Sequence, residues 1–396
     1  MPMIETDEPR ACAHCLAGPF ATLSYAEELV VKTRALQSEL ATAPRLRERL
    51  PVPLEDIQLR PATARTGYRG SVKLVFGWDK AAREARLGIY QPGSHRLIDL
   101  RHCREHDPRL EPVLEAVRQG VARHGLPVYH EGKATGFLRY LLLRVLPDGR
   151  QLACFVTPHA EGGWQTALEE LARDLRAAFP ELRCVAQNLN PTPGNSVLGA
   201  RTQLLEGQFH VPCRFLETPV AVSATSFIQA NLTVFRSILA ELDGWVRGFG
   251  AAARVADLYC GCGAIGLSVT RTQPLFLLES EHASQLPLME AARADGREEI
   301  AVTRGRVEEC LTSLELFEPE LVIVDPPRRG LDPTLLQLLN QLKPRALAYL
   351  SCNPRSLARD LDGLLADPAW QVESLAGHDM LPGTERLEAL ALLRRS

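Results

Sequence analysis

The sequence predicts an α/β protein: a doubly wound sheet at the C-terminus, preceded by an α+β module. Three observations carry this. From about residue 218, apolar strand-like runs at 253–258, 274–278, 320–324, 346–350 and 389–393 alternate with helical stretches, most clearly 332–342 and 356–365. Near-continuous apolar strands separated by helices imply a parallel sheet covered on both faces. Residues 55–160 instead mix short β-type runs and turns with one helical pattern, without a βαβ repeat. Finally, the chemistry-bearing residues of the C-terminal part follow its strands, the edge at which doubly wound sheets bind ligands.

In chain order, Tyr25 to Leu40 reads as a helix behind a short cysteine motif. Ser71-Val-Lys-Leu-Val-Phe-Gly, Ala85-Arg-Leu-Gly-Ile-Tyr and Tyr140-Leu-Leu-Leu-Arg-Val-Leu read as strands, the last ending at the Pro147-Asp-Gly turn. Leu110 to His124 and residues 166–179 read as amphipathic helices. Asn190-Pro-Thr-Pro-Gly-Asn-Ser is the clearest loop, and the module is expected to end between it and residue 220. Asn231 to Trp245 is helical, with Leu232, Phe235, Leu239 and Leu242 on one face. The expected divisions are 1–50, a cysteine segment and helix; 51–216, an α+β substrate module; and 217–396, the catalytic domain.

The 396 residues suffice for two or three domains with sizeable cores. At 45% hydrophobic and 23% charged residues, the chain has the balance of a soluble globular protein, and no apolar run approaches a membrane span. The first residues lack the basic and apolar regions of a secretory signal, so a cytoplasmic protein is expected. Its ten cysteines are then expected to be free, metal-bound or catalytic rather than disulfide-bonded. The net charge of −3 does not advertise nucleic-acid binding, but residues 41–150 hold 20 Lys/Arg against 12 Asp/Glu. A basic module on an acidic domain fits a phosphate-rich partner, although an ordinary solvated surface gives the same count.

Cys352 is the most informative residue. It follows the apolar run Ala346-Leu-Ala-Tyr-Leu350, and Asn353-Pro354 stops that strand. A lone strand-end cysteine is commonly a small buried hydrophobe. Its neighbours point instead to a nucleophile beside a bound cofactor. Asp257-Leu-Tyr259-Cys-Gly261-Cys-Gly263-Ala-Ile-Gly266 follows a strand and opens a helix. Its glycines allow close backbone approach to a ligand. Glu279 ends the next strand, where an acid accepts hydrogen bonds from ribose hydroxyls. NAD and S-adenosylmethionine both contain a ribose, so this pair does not separate them. Leu321-Val-Ile-Val-Asp325-Pro-Pro-Arg328-Arg329-Gly brings an acid to a strand end before a rigid turn; a helix-capping Asp before Pro reads the same way. Glu388 leads into the last strand, where an apolar setting can move a carboxyl towards neutral pKa and suit it as a base; a surface Glu is the alternative. Gln229 and Asn231 precede a helix that either amide would cap, or one of them holds the cofactor. Cys12-Ala-His-Cys15, with Cys103 as a later partner, suits zinc, an iron–sulfur cluster, a redox pair or free thiols.

The order Gln229, glycine loop, Asp325-Pro-Pro-Arg-Arg-Gly, Ser351-Cys352-Asn353, Pro382-x-Thr384 and Glu388 resembles the RNA uracil-5-methyltransferases. The resemblance is strongest over 217–396. The Cys-x-x-Cys gives it a likeness to the 23S rRNA branch known as the RumB or RlmC type, with the tRNA T-loop enzymes as the alternative. It implies a Rossmann-like S-adenosylmethionine-dependent methyltransferase domain, an RNA substrate, no membrane partner and a monomer. Cys352 is then the nucleophile and Glu388 the base. Gln229, Tyr259, Gly261, Gly263, Glu279 and Asp325 fall on the cofactor side, and Arg69, Lys73, Arg328 and Arg329 on the substrate side. Cys12, Cys15 and Cys103 match three of four cysteines of a [4Fe-4S] site, whose fourth ligand would come from elsewhere. Arg386 stands where the family has His. Three readings compete with this one. An amino-group methyltransferase needs no cysteine and carries an aromatic residue where this chain has Arg328. A cytosine-5 RNA methyltransferase lacks the Glu388 segment. An inactive RNA-binding factor has no use for an intact Cys352 and Glu388.

Overall fold

Ser24-Tyr-Ala-Glu27 forms a reciprocal helix start: the Ser24 hydroxyl accepts from the Glu27 amide at 3.3 Å, and the Glu27 carboxylate accepts from the Ser24 amide at 2.9 Å. It opens α1 (Tyr25–Leu40), which is followed by α2 (Pro44–Glu48) and a two-residue strand, β1 (Leu59–Arg60). The structure is a computed structural model that describes residues 20–396, apart from 21, 92, 95, 193, 195, 281–287, 290 and 292–298.

Strands β2 (Ser71–Asp79), β3 (Glu84–Tyr90) and β4 (Leu97–Asp99) precede helix α3 (Leu110–Arg123). Then come β5 (Tyr140–Val145), β6 (Gln151–Thr157), α4 (Gly163–Ala178), β7 (Leu182–Leu189) and β8 (Arg201–Gly207). They build a seven-stranded sheet in the order β4-β3-β2-β5-β6-β7-β8, antiparallel except between β6 and β7. Strands β5 and β6 are buried throughout because both faces are covered. Leu141, Leu143 and Phe155 pack towards α3 and α4, whereas Tyr140, Leu142 and Cys154 face the rest of the molecule.

A hairpin, β9 (His210–Arg214) with β10 (Pro219–Ser223), leads to α5 (Leu232–Arg247), whose Asn231 cap accepts from the Val234 amide at 3.2 Å. There follow β11 (Val255–Leu258), α6 (Gly266–Val269), β12 (Leu275–Glu279), β13 (Ile300–Arg304), α7 (Leu311–Phe317), β14 (Leu321–Val324) and α8 (Pro333–Leu342). The chain closes with β15 (Ala346–Ser351), α9 (Pro354–Leu364), β16 (Trp370–His378) and β17 (Glu388–Arg395). The second sheet has the order β1-β16-β17-β15-β14-β11-β12-β13. Its centre is parallel and doubly wound, as predicted, but β17 runs antiparallel to both β15 and β16. The hairpin and α5 fill the space between the two sheets and share one core with both. Helices α1, α2, α8 and α9 cover the opposite face of the second sheet.

Helix α1 also brings charge inside. Glu28 and Lys32 are 0% and 1% exposed. Lys32 bonds Asp379 and donates to the Leu381 carbonyl at 3.3 Å; Glu28 accepts from the Gly383 amide and, at 2.8 Å, from Arg65. The Tyr25 hydroxyl donates to Asp379 at 2.9 Å. This set clamps the 379–383 loop, which leads directly into Glu388. Removing one partner from a buried charge set costs about 3–5 kcal/mol, so the clamp resists loosening.

Candidate active site

Parallel strands β11, β14 and β15 end at one edge of the sheet, and antiparallel β17 begins there. In the ladder Ser351 pairs with Ala389 and His378 with Glu388. Cys352, one residue beyond β15, therefore lies across from Glu388, the first residue of β17. Strand order also reverses at this edge: from β11 the chain runs outward through β12 and β13 on one side and through β14 and β15 on the other. That switch point is where doubly wound sheets bind ligands.

The glycine loop after β11 is built for close approach. Tyr259, Gly261 and Gly263 have φ of 62°, 56° and 76°, a region that favours glycine and strains Tyr259. A side chain at Gly261 would meet nothing within 4 Å, so the loop borders open space. The Gly261 amide donates to the Glu279 carboxylate at 2.9 Å, joining the ends of β11 and β12. The Gly266 amide donates to Asp257 at 2.7 Å. Burial pushes Asp257 up to about 8; the Gly266 bond opposes this, and Asp325 and Glu279 add to it. The Cys262 thiol lies 3.8 Å from the Phe227 carbonyl and ties the loop to the segment holding buried Gln229. Asn231, not Gln229, caps α5. The Tyr259 hydroxyl is buried without a hydrogen-bond partner. An orphan hydroxyl, a carboxylate and an open glycine cradle fit a nucleoside cofactor such as S-adenosylmethionine.

Asp332, not Asp325, caps α8, accepting from the Thr334 amide at 2.9 Å. Asp325 caps no helix, and burial pushes it up to about 7. The Asp325-Pro-Pro turn is held from behind. Gly330 has φ of 83°, and a Cβ there would run into the Asp360 carboxylate. Asp360, fully buried, accepts from the Leu331 amide at 2.7 Å and the Tyr349 hydroxyl at 2.8 Å. Asn353 caps α9 and donates to the Arg328 carbonyl at 2.7 Å, fastening the cysteine turn to the proline turn.

Cys352 is half-buried. Burial raises its pKa above the usual thiol value, the Glu388 and Asp325 charges add to the shift, and Arg328 opposes it. Glu388 is 6% exposed, and its Oε2 lacks a partner. Burial holds its carboxyl well above the ordinary range; Asp325 adds to this and Arg328 opposes it. Arg386, in place of the expected histidine, is exposed and feels Arg328, Arg69 and Cys352. Alkylation of Cys352 by iodoacetamide in the free protein is therefore expected to accelerate about tenfold per pH unit from 7 to 9, following the thiolate fraction. Arg328→Ala should slow it. Peptide mass mapping reads both, and a plateau below pH 8 would show a thiol already activated.

Among the substrate-side residues, Arg69 reaches this pocket. Its backbone bridges Asn231 and His106, and its side chain meets Glu105 at 3.6 Å. The neighbouring Tyr68 hydroxyl donates to the Pro382 carbonyl at 2.9 Å. Arg329 is paired with Glu308 at 2.9 Å. Lys73 is exposed on β2, and no described hydrogen bond or ion pair links it to the pocket. Cys103 is buried in the core beneath α3, while Cys12 and Cys15 lie outside the described residues. Among the described residues no group of three His, Cys, Asp or Glu side chains converges on a metal position. No helix among them is long and apolar enough to cross a membrane. Sequence reasoning missed Asp360 and the α1 clamp, since a lone Asp or an i,i+4 Glu–Lys pair on a helix reads as a solvated face; Tyr68 was expected only as a substrate-side neighbour of Arg69, not as the tie to Pro382.

Residues 298–396 match the family model described as tRNA (Uracil-5-)-methyltransferase. An RNA methyltransferase of Gloeobacter violaceus, its function uncharacterized, is 33% identical over 348 residues, 87% of this chain and 73% of that protein. A similarly described protein of Geobacter sulfurreducens is 31% identical over 346 residues, 84% of this chain and 67% of that one. The crystal structure of Pyrococcus abyssi tRNA (uracil-54, C5)-methyltransferase in complex with S-adenosyl-L-homocysteine superposes with a TM-score of 0.74. It is 21% identical, over 94% of this chain and 84% of that chain, and shares the fold. The match over the segment carrying Asp325, Cys352 and Glu388, with these two relatives, identifies the chain as a member of the RNA uracil-5-methyltransferase family.

Proposed function

We propose that this S-adenosylmethionine-dependent RNA methyltransferase methylates C5 of one uridine in RNA, with Cys352 as nucleophile and Glu388 as base. The observation that carries the reading is the placing of Cys352 across the β15–β17 ladder from Glu388, beside Asp325 and the glycine loop.

Uracil C5 is too weak a nucleophile to take a methyl group unaided. Cys352 as thiolate adds to C6 and makes C5 an enolate carbon. S-adenosylmethionine, when bound, supplies an electrophilic methyl group on a cationic sulfur. Gln229, Tyr259, Gly261, Gly263, Glu279 and Asp325 are the residues assigned to hold it. Glu388 then takes the C5 proton, and Cys352 leaves C6 by β-elimination, which restores the ring. Burial makes Cys352, Asp325 and Glu388 all resist ionisation, so positive charge brought beside them favours their working forms. A uridine inside folded RNA must be flipped out to reach Cys352, at a few kcal/mol. Arg69, Lys73, Arg328 and Arg329 are assigned to RNA contacts that offset this.

The target we favour is 23S rRNA, on the resemblance of the Cys12-x-x-Cys15 segment; the T-loop of tRNA is the second reading. Mass mapping of 5-methyluridine in both RNAs from a strain lacking the gene decides between them. Loss from neither RNA would reject the function. The same segment, with Cys103, is proposed to hold an iron–sulfur cluster. Anaerobically purified protein should then contain iron and sulfide, and iron-free protein that stays active would reject the cluster.

A further inference from the structure

Beyond the pocket, a cavity of about 450 Å³ opens where the first sheet meets the β9/β10 hairpin and α5. Three elements meet there: the turn between β5 and β6, which supplies Arg150; the β9/β10 hairpin, which supplies Arg214; and the first turns of α5, which supply Arg236. Pro147, Pro212 and Pro219 line it as well, so much of its wall is conformationally stiff. Its size is within the range of about 300–1,000 Å³ usual for bound small groups.

The three arginines are not equally committed. Arg150 is held by Asp148 and by the Pro212 carbonyl, so it braces this junction, and Glu181 also faces it. Arg214 donates its Nε to the Glu217 carbonyl at 2.7 Å and has no ion pair among the described residues. Arg236 is exposed, with no hydrogen bond or ion pair among the described residues. Its neighbours three and four residues away on α5 are Thr233, Leu239, Leu232 and Ala240, so no acid on its own helix neutralises it.

Backbone hydrogen bonds join the elements that line the cavity to the Arg69 segment. The Gly70 amide donates to the Ala230 carbonyl at 2.8 Å, and the Val145 amide donates to the Gly70 carbonyl at 2.8 Å. Arg69-Gly70 is thus wedged between the start of α5 and the end of β5. The cavity begins one turn further along α5, about 6 Å, and just past the end of β5. Guanidiniums with free N–H groups recognise phosphate oxygens, often in bidentate fashion.

We infer that the Arg150–Arg214–Arg236 groove is a backbone-phosphate subsite for the RNA strand flanking the target uridine. The inference rests on the RNA-methylation reading. It assigns the groove to affinity and register, and leaves the chemistry to Cys352 and Glu388.

The test uses the full chain and a fluorescein-labelled oligouridylate of about twenty nucleotides, with anisotropy measured over a series of salt concentrations. Each lost single-strand phosphate contact lowers the slope of log K against log salt by about 0.7. The double variant Arg214→Ala/Arg236→Ala should therefore lose about 1.4 from the slope. Its Kd at low salt should rise about tenfold or more. Arg173→Ala, an exposed arginine on the outer helix α4, should change neither. An unchanged slope in the double variant, an equal loss in Arg173→Ala, or no binding by the wild type would overturn the subsite. Both arginines are exposed, so an unchanged melting temperature is expected and separates lost contacts from lost fold. Tritiated methyl transfer to bulk rRNA and tRNA separates the two claims. A wild type that methylates RNA, with an unchanged slope in the double variant, ends the subsite alone. A wild type that methylates no RNA ends the reading beneath it.

Discussion

Cys352→Ala is expected to lower methyl transfer by at least about a thousandfold, because without covalent addition at C6 the C5 carbon does not become nucleophilic. The half-buried thiol stands beyond the end of β15 and belongs to none of the hydrophobic cores, so its loss leaves the fold intact. The glycine loop and Glu279 are joined through the Gly261 amide, 2.9 Å from the carboxylate, and that bond does not involve Cys352. Binding of S-adenosylhomocysteine by the variant, read by calorimetry, should therefore stay within about twofold of wild type. Tritium transfer to RNA measures the rate. Turnover within tenfold of wild type would remove Cys352 from the mechanism, and a parallel loss of cofactor affinity would make it a structural residue of the site.

Legibility in the sequence followed burial. Leu321–Val324 and Ala346–Ser351 are buried at every position, and both read as apolar runs because helices cover both faces of the sheet there. Strand β13 sits at a sheet edge, half exposed, and β16 carries a register shift between Val372 and Ser374; neither offered a clean period, and both were unread. The antiparallel course of β17 could not be read from its own residues, although it is what delivers Glu388 to the edge where Cys352 lies. Helix α1 was visible to the residue, yet its partner was not. Glu28 and Lys32 sit four apart, the spacing of a solvated pair, and their burial comes from a loop some 350 residues later. Glycine spacing marked the loop after β11 because φ near +60° leaves few other choices. Asp360 carried no mark, since its role is set by what α9 packs against.

The Glu388→Gln variant should accumulate a covalent protein–RNA adduct. Addition forms the Cys352 Sγ–C6 bond, and methyl transfer forms the C5–CH3 bond while the donor's S–CH3 bond breaks. Only then must the C5 proton leave, so that its electron pair can form the C5–C6 double bond and expel Cys352. Glutamine matches glutamate in shape and keeps the start of β17, but it cannot take that proton. Glu388 suits the task because burial and Asp325 hold its pKa well above an ordinary carboxyl, which strengthens it as a base once it is ionised. On a denaturing gel, labelled RNA should run as a retarded band with Glu388→Gln, and the band should vanish in the double variant with Cys352→Ala. Turnover should fall at least about a hundredfold, the usual scale for removing a general base. Asp325 shares the pocket and is pushed up to about 7, so it is the alternative base. Normal turnover by Glu388→Gln, with an adduct appearing instead in Asp325→Asn, would transfer the role to Asp325.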